Sequence, residues 1–244
     1  TTEQWAVASI CGPECDALVA KICDGADVDP EHFAFMSLKD GTAGGIPVRI
    51  YRISFTGSLS YEVNIPASYG LWLWSRVFEA GKELGVEITP YGTEAMHLLR
   101  AEKGFIIVGQ DTDGTMAPAD LRMDWIVKKD GDFVGRRSLS RSDNTRKDRK
   151  QLVGLVTEDP AIVLMEGAHV IATEAEPALK TIPLLGHVTS SYFSPTLGRS
   201  VALAVIKGGG TRMGAKLWVS RKNAAPIPVT VTETDFLKTF GGAA

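Results

Sequence analysis

Three thiols, Cys11, Cys15 and Cys23, crowd into the first tenth of the chain, and metal binding is the first chemistry such a cluster could perform. Zinc asks for a fourth ligand, and the only candidate, His32, stands nine residues beyond Cys23. Three small buried hydrophobes describe these cysteines better, so no metal site is expected. His97, His169 and His187 share no ligand spacing either. No G-x-S-x-G nucleophile elbow occurs, and Gly208-Gly-Gly-Thr-Arg212 lacks the lysine and following helix of a phosphate-binding loop. No G-x-G-x-x-G follows a strand, so a dinucleotide fingerprint is missing. From the pattern alone, Glu62 reads as a surface strand glutamate and Phe55 as a core aromatic residue at a strand end.

The elements that must position these side chains fall into two regimes. Trp5–Ile10 reads as a buried strand, and Gly12-Pro13 opens a helix with Leu18, Val19 and Ile22 on one side. Residues 24–45 are rich in turn signals and read as loop. An extended run, Ile46 to Phe55, changes parity at Ile50/Tyr51, which implies a bulge or a strand buried on both faces. A turn at 56–60 then returns the chain as Tyr61–Ile65. In that return strand Tyr61 points away from Glu62 and toward the core. Helices follow at Leu71–Leu84 and Glu94–Lys103, then strand-like Phe105–Val108 and Trp125–Val127. Beyond residue 150 short β-like runs recur, separated by Gly- and Pro-rich turns, as in a small all-β barrel or sandwich. The fold class is therefore α+β, with a small C-terminal all-β domain. Between the regimes, residues 136–150 carry seven basic side chains against two acidic ones, and read as a solvated connection. The expected organisation is 1–140 as an α+β region, 141–150 as a basic linker, and 151–244 as the β domain.

Composition narrows the function classes. The 244 residues are 44% hydrophobic and 23% charged, with 26 basic and 29 acidic side chains and a net charge of −3. Such a chain is globular and lacks the basic excess of a nucleic-acid binder. No apolar stretch approaches the about 20 residues that span a bilayer, so no membrane partner is expected. An odd, sparse cysteine count suits a reducing cytoplasm. The chain opens without methionine and enters an apolar strand at once, which suggests a piece of a longer polypeptide.

Four segments, in order, resemble one family. Arg52-Ile-Ser-Phe-Thr-Gly-Ser-Leu-Ser-Tyr-Glu-Val is similar to the R-x-x-Y-T-G-E-x-G-[FWY]-E hairpin of the glycine cleavage T protein, or aminomethyltransferase, family. Tyr91-Gly-Thr-Glu-Ala-Met-His-Leu-Leu-Arg-Ala-Glu-Lys-Gly resembles its G-x-x-A-R-D-x-L-R-L-E-x-G helix. Asp132-Phe-Val-Gly-Arg-Arg-Ser-Leu resembles D-F-[IV]-G-[KR]-x-A-L, and Gly186-His-Val-Thr-Ser-Ser-Tyr-Phe-Ser-Pro-Thr-Leu resembles the signature of its C-terminal β domain. Within the family, the first two segments look most like the α subunit of heterotetrameric sarcosine oxidase.

The resemblance implies a partial aminomethyltransferase folate-binding fold followed by a β barrel. It places Glu62 where the family glutamate holds the pterin, a role that suits an ionised carboxylate facing a ring edge with an N–H beside an amino group. It places Phe55 where T proteins carry a tyrosine, so stacking is kept while a hydroxyl is lost. Met96 stands in place of a ligand-contacting arginine, and Ser58 replaces a motif glutamate; Arg100 and Glu102 are retained and read as structural. The family's proton-managing aspartate lies upstream of the matched segments, so no catalytic residue is assigned. The implied reaction oxidises sarcosine to glycine and releases hydrogen peroxide. The one-carbon unit passes to tetrahydrofolate as methylene-tetrahydrofolate, or leaves as formaldehyde. FAD, FMN and NAD belong to the full complex outside this chain, the partners are the other sarcosine oxidase subunits, and the chain alone is expected to be inactive. A stand-alone aminomethyltransferase and a non-catalytic folate-binding scaffold are the alternatives.

Overall fold

A computed structural model describes residues 2–24, 26–174 and 183–241. The chain forms two compact units, Thr1–His97 and Leu98–Ala244.

In the first unit, β1 (Trp5–Cys11), β2 (Ser37–Ala43), β3 (Ile46–Arg52) and β4 (Ser60–Pro66) form an antiparallel sheet in the order β1-β4-β3-β2. One face packs against α1 (Cys15–Ile22) and α2 (Gly70–Leu84). The helices contribute Leu18, Val19, Ile22, Leu73, Val77 and Ala80 to the core, and the sheet contributes Ile10, Val48, Ile50, Tyr61, Val63 and Ile65. Each such aliphatic side chain contributes about 1.5–3 kcal/mol of hydrophobic free energy when fully buried. Tyr61 is enclosed in that core, as its parity requires, and its hydroxyl donates to the Val28 carbonyl at 2.6 Å. Gly85 ends α2 in the left-handed region at φ 70°, where its N–H reaches the Gly81 and Lys82 carbonyls.

Two readings of the sequence are corrected here. Residues 24–45 contain a true strand, β2, whose sequence Ser-Leu-Lys-Asp-Gly-Thr-Ala lacks apolar alternation. It is an edge strand, where charge and glycine are tolerated and pairing with β3 holds it in place. The run from Ile46 has no bulge: β3 keeps one register with β4 and ends at Arg52, leaving Ile53 and Phe55 in the turn beyond it.

The second unit is built on α4 (Arg136–Leu139) and a closed barrel of β5 (Lys150–Thr157), β6 (His169–Ile171), β7 (Leu184–Ser194), β8 (Arg199–Lys207), β9 (Lys216–Arg221) and β10 (Ala224–Thr232). The strand order is β10-β5-β8-β7-β6-β9, and α5 (Phe236–Phe240) follows. All six β-like runs read from the sequence become barrel strands. Strands β5 and β8 are buried on both sides: Val153, Leu155, Ala204 and Ile206 join one cluster, while Leu152, Val201, Leu203 and Val205 join another around Phe236. Gly154 permits this double packing. A Cβ there would lie 2.3 Å from the Glu233 carbonyl oxygen and 2.9 Å from the Phe236 ring.

Residues 105–108 and 125–127 form no strand. In the first segment the backbone is satisfied by side chains: the Arg100 Nη1 donates to the Phe105 carbonyl at 3.0 Å, and Ile107 N–H donates to Asp111 at 2.8 Å. The second is a 3-10 turn, Asp124–Ile126, with Trp125 exposed. Asp111 is also the centre of a buried cluster. It meets Arg100 Nη1 at 2.5 Å and accepts from the Thr189 and Ser190 hydroxyls, while Arg100 Nη2 donates to Ser190 at 2.7 Å. Nearby, Arg149 clamps Asp120 at 2.6 Å. These contacts hold the segment after Leu98 to the barrel, so the compact units divide at His97/Leu98 although the basic connection expected from the sequence lies at 141–150.

Because the Arg100 and Asp111 side chains are both fully enclosed, Asp111→Ala leaves a buried cation unpaired and is expected to cost about 3–5 kcal/mol, far more than removing the exposed, solvent-screened Arg146 pairs. Urea unfolding followed by circular dichroism measures both. For residues 141–150 as the exposed connection, limited trypsin digestion should cut first after Arg141, Arg146 and Lys147 and last after Arg149, whose side chain is 11% exposed. The nicked halves should co-elute on gel filtration, held by the Arg149–Asp120, Arg100–Ser190 and Asp111–Thr189 contacts.

Candidate functional site

The pleat of β4 sends Tyr61, Val63 and Ile65 into the core, and therefore sends Ser60, Glu62 and Asn64 to the opposite face of the sheet. On that face Glu62 lies directly across from Ser9 of β1 and Tyr51 of β3, and Ser60 lies across from Cys11. A cleft of about 900 Å³ runs along the edge strand β1. Its rim includes Phe55 and Thr56 from the turn before β4, Tyr91 from the loop before α3 (Thr93–Glu102), and Met96 from that helix.

Glu62 and Phe55, assigned by resemblance, thus come together on one cleft. Phe55 is 40% exposed and outside the hydrophobic core, so it is not the core aromatic that the strand pattern suggests. Glu62 is half-buried, and burial pushes its carboxyl above the ordinary glutamate value. Among the described residues no salt bridge or side-chain hydrogen bond engages that carboxylate; only its backbone carbonyl accepts, from Asn64. The cleft walls carry Glu14, Glu62 and Glu87 and, among the described residues, no Lys, Arg or His. Such a surface favours the N–H-rich face of a neutral or cationic ligand and opposes phosphate or carboxylate groups.

Two further polar groups line the cleft: Tyr91, which the sequence alone does not mark as a site residue, and Cys11, which it offers only as a metal ligand or a buried hydrophobe. The Cys11 thiol donates to the Tyr91 hydroxyl at 3.2 Å. Burial, then the same thiol, pushes the Tyr91 phenol up to about 12, with the Glu62 charge adding to the effect and Ser9 opposing it. In sequence Tyr91 is one residue of a Pro-Tyr-Gly turn; the β1–β4 register that places Cys11 beside Glu62 leaves no mark in either strand alone. Cys15 and Cys23 are buried and free, and burial pushes each thiol up to about 12. At the hairpin tip Ser58 shares a 3.0 Å hydrogen bond with Thr56. Arg100 and Glu102 face the interior of the second unit, where Glu102 accepts from Ser194 at 2.5 Å. Neither lines the cleft.

A two-layer sheet-and-helix unit with an open carboxylate, joined to a closed six-stranded barrel, defines the aminomethyltransferase fold class. Residues 1–131 match the GCVT N-terminal domain, and residues 150–238 match the glycine cleavage T-protein C-terminal barrel domain. The chain belongs to the glycine cleavage T-protein family. It is 53% identical over 217 residues to the sarcosine oxidase subunit alpha of Corynebacterium sp. (strain P-1), a match covering 88% of this chain and 22% of that protein. It is 29% identical to the aminomethyltransferase of Herpetosiphon aurantiacus, over 97% of this chain and 61% of that one. The crystal structure of the glycine cleavage system aminomethyltransferase T from Bartonella henselae superposes with a TM-score of 0.76 at 20% identity, covering 95% of this chain and 59% of its own, and shares the fold. The chain therefore spans about a fifth of the length of the sarcosine oxidase relatives. Among the described residues no helix is long and apolar enough to cross a membrane.

The raised Glu62 carboxyl has a consequence for stability. A proton binds more tightly to this glutamate in the folded than in the unfolded chain, so its contribution to stability is fully present below the ordinary glutamate value. That contribution is lost as pH rises through the higher folded value. Glu62→Gln is therefore expected to be more stable than the wild type at pH 7, with the difference vanishing below about pH 4. Thermal melts across that range measure it.

Proposed function

We propose that this chain is the tetrahydrofolate-binding part of a sarcosine oxidase α subunit, acting with the other subunits of that enzyme. The observation that carries the reading is Glu62: a half-buried carboxylate that, among the described residues, has no side-chain partner and shares its cleft with no Lys, Arg or His. A pterin edge offers an N–H and an amino group side by side, which two carboxylate oxygens accept together. Phe55 at the rim supplies an aromatic face for the ring. The same acidic lining disfavours the glutamate tail of a folate, which must leave the cleft toward solvent.

When bound, tetrahydrofolate supplies the amine that takes up the one-carbon unit released as sarcosine is oxidised to glycine, giving methylene-tetrahydrofolate; without it, water takes up that unit and formaldehyde leaves. The redox step belongs to a flavin held outside this chain, in a complex that also carries NAD. What these residues contribute is position. Glu62 fixes the ring edge, Phe55 fixes its plane, and the cleft walls exclude water, which turns capture of a reactive fragment into a local event. The relatives at 53% and 38% identity are both sarcosine oxidase α subunits, which favours this reading over a stand-alone aminomethyltransferase.

In the complete natural polypeptide and its complex, Glu62→Gln and Glu62→Ala should each weaken tetrahydrofolate binding by about 2–4 kcal/mol, the scale of a two-pronged, charge-assisted contact. Isothermal titration measures the loss. Unchanged affinity in both variants would remove the basis of the assignment.

A further inference from the structure

The cleft holds one polar group whose chemistry complements Glu62 rather than duplicating it. Glu62 only accepts hydrogen bonds when ionised, whereas the Tyr91 hydroxyl keeps a proton to give. Its oxygen already accepts from the Cys11 thiol at 3.2 Å, so the phenol's own O–H is turned to another acceptor. The strand register fixes where that happens. Ser9 stands opposite Glu62, and Cys11 is the next residue of β1 on the same face, about 7 Å further along the strand. An acceptor and a donor are thus set on one wall of the cleft. The raised Tyr91 phenol agrees, since it keeps the group neutral and its proton available across the physiological range.

We propose that Tyr91 is a specificity-determining residue that donates to a ring carbonyl of the ligand whose N–H edge Glu62 holds, and that Cys11 orients it. The inference rests on the folate reading of Glu62 and adds the class of ring accepted: a pterin with oxygen, not an amino group, at C4. A 4-amino ring presents a donor to a donor, and a site built to bond a carbonyl rejects the analogue that lacks it. Glu62 senses the same exchange indirectly, because a 4-amino ring has no N3–H for its carboxylate to accept, but only Tyr91 meets the C4 substituent itself.

The test titrates folic acid and aminopterin, in which an amino group replaces the C4 oxygen and the N3–H is lost with it, into the complete natural complex. Tyr91→Phe keeps the ring and removes the hydroxyl. It is expected to weaken folic acid binding by about tenfold while leaving aminopterin unchanged, so that the preference between them falls by the same factor and the part owed to Glu62 remains. Equal weakening of both, or no change in either, overturns the assignment. If Tyr91→Phe fails to fold, Cys11→Ser and Cys11→Val carry the test: serine retains a donor to the phenol and should keep the preference, and valine should lower it. The same preference in both cysteine variants overturns the proposal. Glu62→Gln, run alongside, separates the two claims. If it leaves both ligands unaffected the folate reading itself fails; if it weakens both while Tyr91→Phe is unselective, only the role of Tyr91 falls.

Discussion

The two-residue pleat of β4 is the constraint on which the site depends. Tyr61, Val63 and Ile65 are wholly enclosed against α1 and α2, so the side chains between them have only the opposite face of the sheet to occupy. Glu62 cannot retreat into the core without moving three large residues out of it, a slip that would cost several times the about 1.5–3 kcal/mol each contributes. The apolar half of the strand thus fixes the polar half, and the neighbours inherit their places from it: Ser9 and Tyr51 by direct pairing, Cys11 by the next step of β1, and Tyr91 through Cys11. An open carboxylate in a half-buried position is an unfavourable state for the isolated protein. It persists because the surrounding packing gives it no alternative, and that leaves its hydrogen-bonding capacity for a ligand.

The second unit solves a different problem with the same economy of parts. Arg100 closes a helix, and its guanidinium would be a severe liability in the interior were it not met by Asp111 at 2.5 Å and by Ser190. Asp111 in turn accepts from Thr189, Ser190 and the backbone of Ile107. One carboxylate therefore ties a loop, a helix end and strand β7 together, and the loop needs no regular structure of its own. The resulting geometry is rigid by hydrogen bonding where the barrel is rigid by packing.

How legible all this was in the sequence follows from the physics of each element. The six barrel strands could be read because residues buried on both faces give dense apolar runs such as Leu152–Val156 and Val201–Ile206, bounded by glycine and proline. Tyr61 could be placed in the core, and Glu62 away from it, by parity alone. Edge strand β2 could not be read, because its stability comes from pairing with β3 and its residues carry no hydrophobic signature. Phe105–Val108 misled for the converse reason: an apolar run suggested a strand where side chains of Arg100 and Asp111 satisfy the backbone. The site was half legible. A short motif marks Glu62 and Phe55, whereas Tyr91 reaches Cys11 across 80 residues of sequence, a distance only folding closes.

The central claim is that the Glu62 carboxylate holds the ring of a folate in the cleft along β1. A crystal structure of the complete enzyme soaked with 5-formyl-tetrahydrofolate tests it most directly. The account predicts the pterin in that cleft, with both Glu62 oxygens about 3 Å from adjacent nitrogens of the ring edge and the glutamate tail extending to solvent. A pterin bound elsewhere in the complex, with Glu62 still facing water, would contradict it.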